Sequence, residues 1–342
     1  MVVIPEINQH ITTVKNLGSG LVAVFGTNSP SLPITIGGTS GIGLSTAREF
    51  TRYAAAPHVY LIGRNEAQAS EFISELNTIN ESATVSFIKS DVSVLKNVDV
   101  ACQEISKKES KVNLLFLSAG IFTTKGRTET SEGIDKKLSL HYYSRVRFIQ
   151  NLLPHLSQAA SSGGLARVIS VLGPSTEGKL IEDDLDLRTH YSLTNAATHA
   201  VTMTSLSMIH LATANPTISF IHSAPGGVKT NLMRDFNPLA KGLVSGILAL
   251  LTPVHSKIGI IPVKDSGERH VYAATHPAFA PREEHVETMG ADGEKGSGAY
   301  RVHYDSSIVE SKMDLIKDYL SKGTVKTVWD HTLEVINKAT GN

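Results

Sequence analysis

One cysteine, Cys102, is the only thiol the sequence holds. It excludes an internal disulfide and a Cys-cluster metal site, and it fits a reducing compartment. An excess of charge of one sign is missing too: Lys+Arg and Asp+Glu each number 32, for a formal net charge of +0. A chain without a basic surplus is not built to grip nucleic acid through its phosphates. Long apolar runs are also absent. The most apolar stretch, residues 242–254, is about 13 residues, against the roughly 18 or more that a membrane span needs. Pro5 and Glu6 stand where a secretory signal would have a basic start and an apolar run. These absences predict a cytoplasmic protein with no metal site, no membrane span and no nucleic-acid partner.

What is present suffices for a sizeable core: 41% hydrophobic and 19% charged residues over 342 positions, values that argue against global disorder. The chain is organised around Ile36-Gly37-Gly38-Thr39-Ser40-Gly41-Ile42-Gly43. An apolar run over 32–36 precedes these glycines and an amphipathic segment over 43–53 follows. Between strand and helix, such glycines let the chain turn, let the backbone approach a pyrophosphate and let the helix pack close on the strand. The helix N-terminus adds unpaired N–H groups and the positive end of its dipole. Glycine turns also serve plain structure, so the rest of the chain decides between the readings.

Residues 1–31 read as an N-terminal extension, with Ile7, Ile11 and Val14 at helical spacing. Two runs compete for the first sheet strand. Residues 32–36 touch the glycines but include Pro33, whereas 21–25 are apolar and proline-free. A central parallel strand favours the latter, with an inserted loop before the turn. Further strands are expected over 58–62, 84–88, 112–117, 166–172, 218–222 and 299–304. Helices are expected over 66–77, 94–107, 134–156 (stopped near Pro154), 191–213, 312–320 and 325–336. This alternation predicts βαβ crossovers. The expected fold is a single doubly wound, Rossmann-type α/β domain over 32–342, a parallel sheet with helices on both faces. Ligands of such sheets bind beyond the C-terminal strand ends.

In order and spacing, the chain resembles the short-chain dehydrogenase/reductase family over residues 37–230. Gly37, Gly41 and Gly43 match its glycine motif, with Thr39, Ser40 and Ile42 completing the phosphate turn. Asp91-Val92 matches the adenine contact after the third strand. Leu117-Ser118-Ala119-Gly120 stands where the family has Asn-Asn-Ala-Gly. Tyr191-Ser192-Leu193-Thr194-Asn195 stands where it has Tyr-x-x-x-Lys. Pro225-Gly226-Gly227-Val228-Lys229-Thr230 matches the segment whose Val228 and Thr230 flank the nicotinamide. His141-Tyr142-Tyr143-Ser144-Arg145 and the long loop at 183–187 resemble a fungal-type branch. The resemblance implies a nicotinamide cofactor, a lid at about 231–262 over a small apolar substrate, and a chain compatible with a homo-oligomer.

The cofactor choice can be argued physically. An NAD site places a carboxylate after the second strand to hold the ribose 2′-hydroxyl. Here Gly63-Arg64-Asn65 occupies that place, and no carboxylate precedes Glu66. Arg64, with Asn65 beside it, suits a 2′-phosphate; the plain reading is a solvated surface arginine. NADP is therefore expected over NAD.

The resemblance also exposes departures. The family uses a tyrosine to protonate the substrate oxygen, a lysine to lower that tyrosine's pKa, a serine to steady the substrate and an asparagine for a proton relay. Tyr191 is in place. Asn195 stands for the lysine, Gly173 for the serine with Ser170 and Ser175 as nearby hydroxyls, and His141 for the asparagine. An uncharged Asn195 cannot draw a tyrosine down from about 10. His141 reads either as a hydrogen-bonded helix histidine or as a general acid–base, and His199 as structural. Three functions stay open. One is an atypical NADP-dependent oxidoreductase acting on an apolar carbonyl or alcohol in secondary metabolism. The others are a non-redox isomerase, dehydratase or cyclase, and a binding protein with a dead site. Fold alone does not choose among them.

Overall fold

The computed structural model describes residues 2–26, 41–121, 123–228 and 260–341. Every residue of Val22–Gly26 is buried. Val22 and Val24 join the core on one side, and Ala23 and Phe25 the core on the other. A proline-free run buried on both faces is what a central parallel strand requires, and this segment is β1. The run at 32–36 lies outside the described residues.

The other strands are β2 (His58–Gly63), β3 (Thr84–Lys89), β4 (Leu114–Leu117), β5 (Arg167–Val171) and β6 (Ser219–Ser223). A short pair, β7 (Gly227–Val228) and β8 (Ile260–Ile261), stands apart, and β9 (Ala299–Val302) follows. Seven strands form one parallel sheet in the order β3-β2-β1-β4-β5-β6-β9. Asn113 pins its centre: Oδ1 accepts the Val22 N–H (3.0 Å) and Nδ2 donates to the Leu165 carbonyl (2.8 Å).

The helices are α1 (Ile4–Ile11), α2 (Ile42–Tyr53), α3 (Glu66–Ile79), α4 (Leu95–Ser106), α5 (Lys136–Leu138), α6 (Ser144–Ser161), α7 (Leu193–Ala214), α8 (Val263–Thr275), α9 (Met313–Ser321) and α10 (Thr324–Thr340). Two cores flank the sheet. One is built from α1, α2, α3 and α8 through Ile7, Phe50, Leu76 and Val271. The other is built from α4, α6, α7, α9 and α10 through Val98, Ile149, Leu206, Ile316 and Ile336. No helix among the described residues is long and apolar enough to cross a membrane.

One expectation is corrected. The helix expected to stop near Pro154 instead begins as α5, passes through a π-helical turn at Ser139–Tyr143 and continues as α6 through Pro154 to Ser161. Proline forfeits a backbone bond there. Phe148, Ile149, Leu152, Leu156 and Ala159 form one buried stripe on both sides of it, and that stripe holds the helix against the sheet. The lid expected at about 231–262 lies outside the described residues except for 260–262, as do Gly37, Thr39, Ser40 and Thr230.

Helix α8, which the sequence pattern did not announce, rests on α2 almost backbone to backbone. A Cβ at Gly267 would fall 2.6 Å from Ser45 Oγ and 2.7 Å from the Ser45 carbonyl oxygen. The Ser45 hydroxyl in turn donates to the Val263 carbonyl (2.7 Å). Gly267→Ala should therefore push the two helices apart and cost about 1–3 kcal/mol. The check is the urea midpoint at unchanged far-ultraviolet dichroism. An unaltered midpoint would mean that the helices do not meet at this glycine.

Candidate active site

The first half of the site lies at the ends of β1, β2 and β3. Gly41 caps α2 with φ −65° and ψ 172°, and a Cβ built there meets nothing within 4 Å among the described residues. At the first turn of α2, Ile42 is half-buried and Gly43 buried. Helix N-termini carry amides without intrahelical partners, which suits a phosphate. Past the end of β2, Arg64 has a buried Nε with no hydrogen-bond partner among the described residues. Its Nη1 stands 4.0 Å from Asp91 Oδ2. Asn65 is committed elsewhere: its Oδ1 accepts the N–H groups of Ala67 (3.1 Å) and Gln68 (3.4 Å), capping α3. Burial opposes the charge on Asp91. The two hydrogen bonds from Ser93, with Arg64 and Lys136, outweigh it and hold the carboxyl below its usual range. Val92 is buried beside it. A glycine cap at a helix N-terminus with a guanidinium nearby fits a dinucleotide.

The second half lies at the ends of β4, β5 and β6. The Ser118 hydroxyl donates to the Gly26 carbonyl (3.1 Å), tying β4 to β1. A Cβ at Gly120 would lie 3.1 Å from His141 Nε2, so the imidazole packs tightly against this glycine. The Ile121 N–H donates to that Nε2 (3.0 Å). An N–H can only donate, so the ring proton of neutral His141 sits on Nδ1. Burial, with Arg145 and Lys137 nearby, lowers the His141 pKa to about 3.

Arg145, which sequence reasoning missed as a site residue, explains much of this. Its Nε donates to the Leu140 carbonyl (3.1 Å) and its Nη2 to the Ala119 carbonyl (2.7 Å). Its Nη1 donates to Ser170 Oγ (2.8 Å) and to the Val171 carbonyl (2.7 Å). None of these partners is a carboxylate, and burial lowers the pKa of Arg145 to about 9. The signal was a charge on an apolar stripe, one helical turn from His141 and from Ile149. Ser170 is fully buried under this guanidinium. Ser175 lies on the loop beyond β5, partly exposed, with φ +95°. On the far side, Pro225, Gly226 (φ +70°) and Val228 follow β6.

Tyr191 precedes α7. Its ring faces Lys137, whose Nζ is 5.4 Å from the ring centroid. Lys137 is itself engaged by the Gly126 carbonyl (2.9 Å) and by Asp135 (3.7 Å). The Tyr191 hydroxyl is buried without a hydrogen-bond partner among the described residues. Burial and the Asp135 carboxylate, against Arg127, push its pKa up to about 12. Asn195 does not reach it by hydrogen bond; its Nδ2 donates to the His190 carbonyl (2.8 Å). His199 braces the preceding loop, with Nε2 accepting the Ile181 N–H (3.0 Å) and Nδ1 at the Leu185 carbonyl (3.1 Å). Tyr191 and His141 thus attach to one short stretch, the α5 turn and the π turn after it, while Asn195 and Ser170 serve local structure.

Comparison with known proteins bears on the family and the fold. Residues 33–240 match the short chain dehydrogenase family. Oxidoreductase AN1596 of Emericella nidulans is 41% identical over 340 residues, spanning 96% of this chain and 98% of that protein. Oxidoreductase andH of Emericella variicolor is 35% identical over 350 residues, spanning 98% and 97%. NADPH-bound carbonyl reductase from chicken fatty liver, 15% identical, superposes with a TM-score of 0.54 over 85% of this chain and 98% of that one. The 3-oxoacyl-[acyl-carrier protein] reductase of Brucella melitensis, 17% identical, gives 0.56 over 87% and 98%. At such identities the two structures speak for the fold alone. The family match and the full-length relatives say more: the chain belongs to the short-chain dehydrogenase/reductase family, an oxidoreductase family whose fold implies a nicotinamide cofactor.

Proposed function

We propose that the chain is an NADP-dependent oxidoreductase interconverting an apolar carbonyl and its alcohol, in secondary metabolism. The observation that carries this reading is Arg64: its buried Nε lacks a partner among the described residues, and the end of β2 reads Gly63-Arg64-Asn65 with no carboxylate before Glu66. A 2′-phosphate is the acceptor such a guanidinium suits. Gly41 and the amides of α2 would hold the pyrophosphate, Asp91 and Val92 the adenine, and Val228 and Thr230 the nicotinamide. The nicotinamide, when bound, supplies hydride transfer.

The chain's own residues handle the substrate oxygen. Tyr191, with its pKa pushed up to about 12, stays protonated through the neutral range and serves as a hydrogen-bond donor. His141, a neutral Nδ1–H imidazole, is the second donor. Ser175 replaces the missing serine, because Ser170 is enclosed under Arg145. A donor with so high a pKa is poorly matched to proton transfer at neutral pH, so turnover is slow there. Asn195, engaged by the His190 carbonyl, favours one rival: an isomerase, dehydratase or cyclase using the same two donors. Counting nicotinamide oxidised per product separates them, since the rival consumes none.

Two variants test the cofactor half. Calorimetry should find NADPH bound more tightly than NADH, with Arg64→Ala removing most of the difference, about 1.5–3 kcal/mol. Equal affinities in the native protein would contradict the NADP reading. At Gly41 the backbone angles are ordinary and a Cβ meets nothing within 4 Å among the described residues. Gly41→Val should therefore melt as the native protein does, yet lose NADPH affinity by at least about tenfold as the side chain blocks the pyrophosphate. Native affinity in this folded variant would remove Gly41 from the site.

A further inference from the structure

Gly173-Pro174-Ser175-Thr176 has the pattern of a type II turn. The Thr176 N–H donates to the Gly173 carbonyl (3.2 Å), proline stands second, and Ser175 stands third with φ +95°. The third place of such a turn favours glycine or asparagine, and a serine there is strained. Behind the turn lies Glu177, whose side chain is 0% exposed. Its Oε2 accepts the Ser175 N–H (2.8 Å). Its Oε1 accepts the Ser205 hydroxyl (2.8 Å) and faces Arg301 Nη1 at 3.2 Å. The single proton of Ser205 is thereby committed, so its oxygen accepts from His222 Nδ1 (2.8 Å). That leaves His222 Nε2 as acceptor for the Gly173 N–H (3.4 Å).

Glu177, Ser205, His222 and Arg301 are all buried, and they come from the turn, α7, β6 and β9. A buried ion pair is a weak source of stability compared with apolar packing. What this one does is fix two amide N–H groups of the turn on its inner side.

We propose that Glu177 is a positioning residue: with Arg301, Ser205 and His222 it holds the turn at 173–176 in its strained form, and so sets where Ser175 presents its hydroxyl beyond β5. The use of that hydroxyl rests on the oxidoreductase reading; the conformational claim does not. Glycine at 175 would remove the strain and the hydroxyl together, so a serine standing there under strain fits a site that uses the oxygen.

The experiment is a double-mutant cycle on the full chain, read by melting temperature and amide hydrogen exchange. Ser175→Gly should raise the melting temperature by roughly 1–3 °C as strain is released. Glu177→Gln should lower it and speed exchange of the Ser175 amide by at least about tenfold, with β5 and β6 amides nearly unchanged. In the Ser175→Gly background the drop caused by Glu177→Gln should shrink to about half, because an unstrained turn no longer needs the carboxylate. Strict additivity, or exchange rising equally across the sheet, overturns the proposal. Should Glu177→Gln fail to fold, Ser205→Ala removes one holder of the carboxylate and must release the same amide. NADPH binding by the native protein is scored separately. Its absence would sink the oxidoreductase reading while the exchange data still decide the role of Glu177.

Discussion

A guanidinium without a carboxylate is buried beneath the ends of β4 and β5, and the site takes its shape from satisfying it. Removing a charge from water costs several kcal/mol unless its hydrogen bonds are replaced. Arg145 replaces them with the carbonyls of Ala119, Leu140 and Val171 and the hydroxyl of Ser170. These groups belong to β5, the segment after β4 and the π turn, so one side chain fixes three site elements at once. Burial keeps the nearby His141 and His222 neutral, and the positive charge of Arg145 adds to that effect. It also occupies Ser170. The electrostatics thus differ from the family pattern the sequence suggests: a buried cation, Arg145, lies under the candidate site, and His141 beside it is held neutral.

The last third of the chain braces the same elements. Arg301 of β9 faces Glu177. The Tyr319 hydroxyl of α9 accepts the Leu180 N–H (2.7 Å). Thr332 and His331 of α10 meet the Tyr142 hydroxyl (2.5 Å) and the Tyr143 hydroxyl (3.0 Å) next to His141. Single-turn π bulges inside helices recur at functional sites, and here both tyrosines of the bulge are held by α10. The C-terminal helices therefore support the π turn and the loop at 178–182 as well as completing a core.

Much of the fold was legible because its signals are local. Val22–Gly26 announces a central strand by apolar residues on both faces, and Asn65 is a helix cap where the sequence puts a helix start. Pro154 misled because the tertiary stripe around it outweighs the bond it forfeits. The resemblance singled out Tyr191, while Gly37, Thr39 and Ser40 of the glycine turn lie outside the described residues. Arg145, Glu177 and Arg301 were not legible. Their meaning lies in partners 25 to more than 100 residues away, and a lone charge in a helix or strand looks the same whether it faces water or the core. Asn195 was visible as a departure, but its bond to the His190 carbonyl depends on the turn that leads into α7.

The claim on which the rest depends is that the site works with neutral donors over a buried cation. Nuclear magnetic resonance of isotope-labelled histidine, with the His141 signals assigned through His141→Gln, reads this directly. Expected from about pH 5 to about pH 8 is a neutral imidazole protonated at Nδ1, since burial, Arg145 and Lys137 lower its pKa to about 3. A His141 that titrates near the ordinary value of about 6.5, or that carries its proton on Nε2, would contradict it.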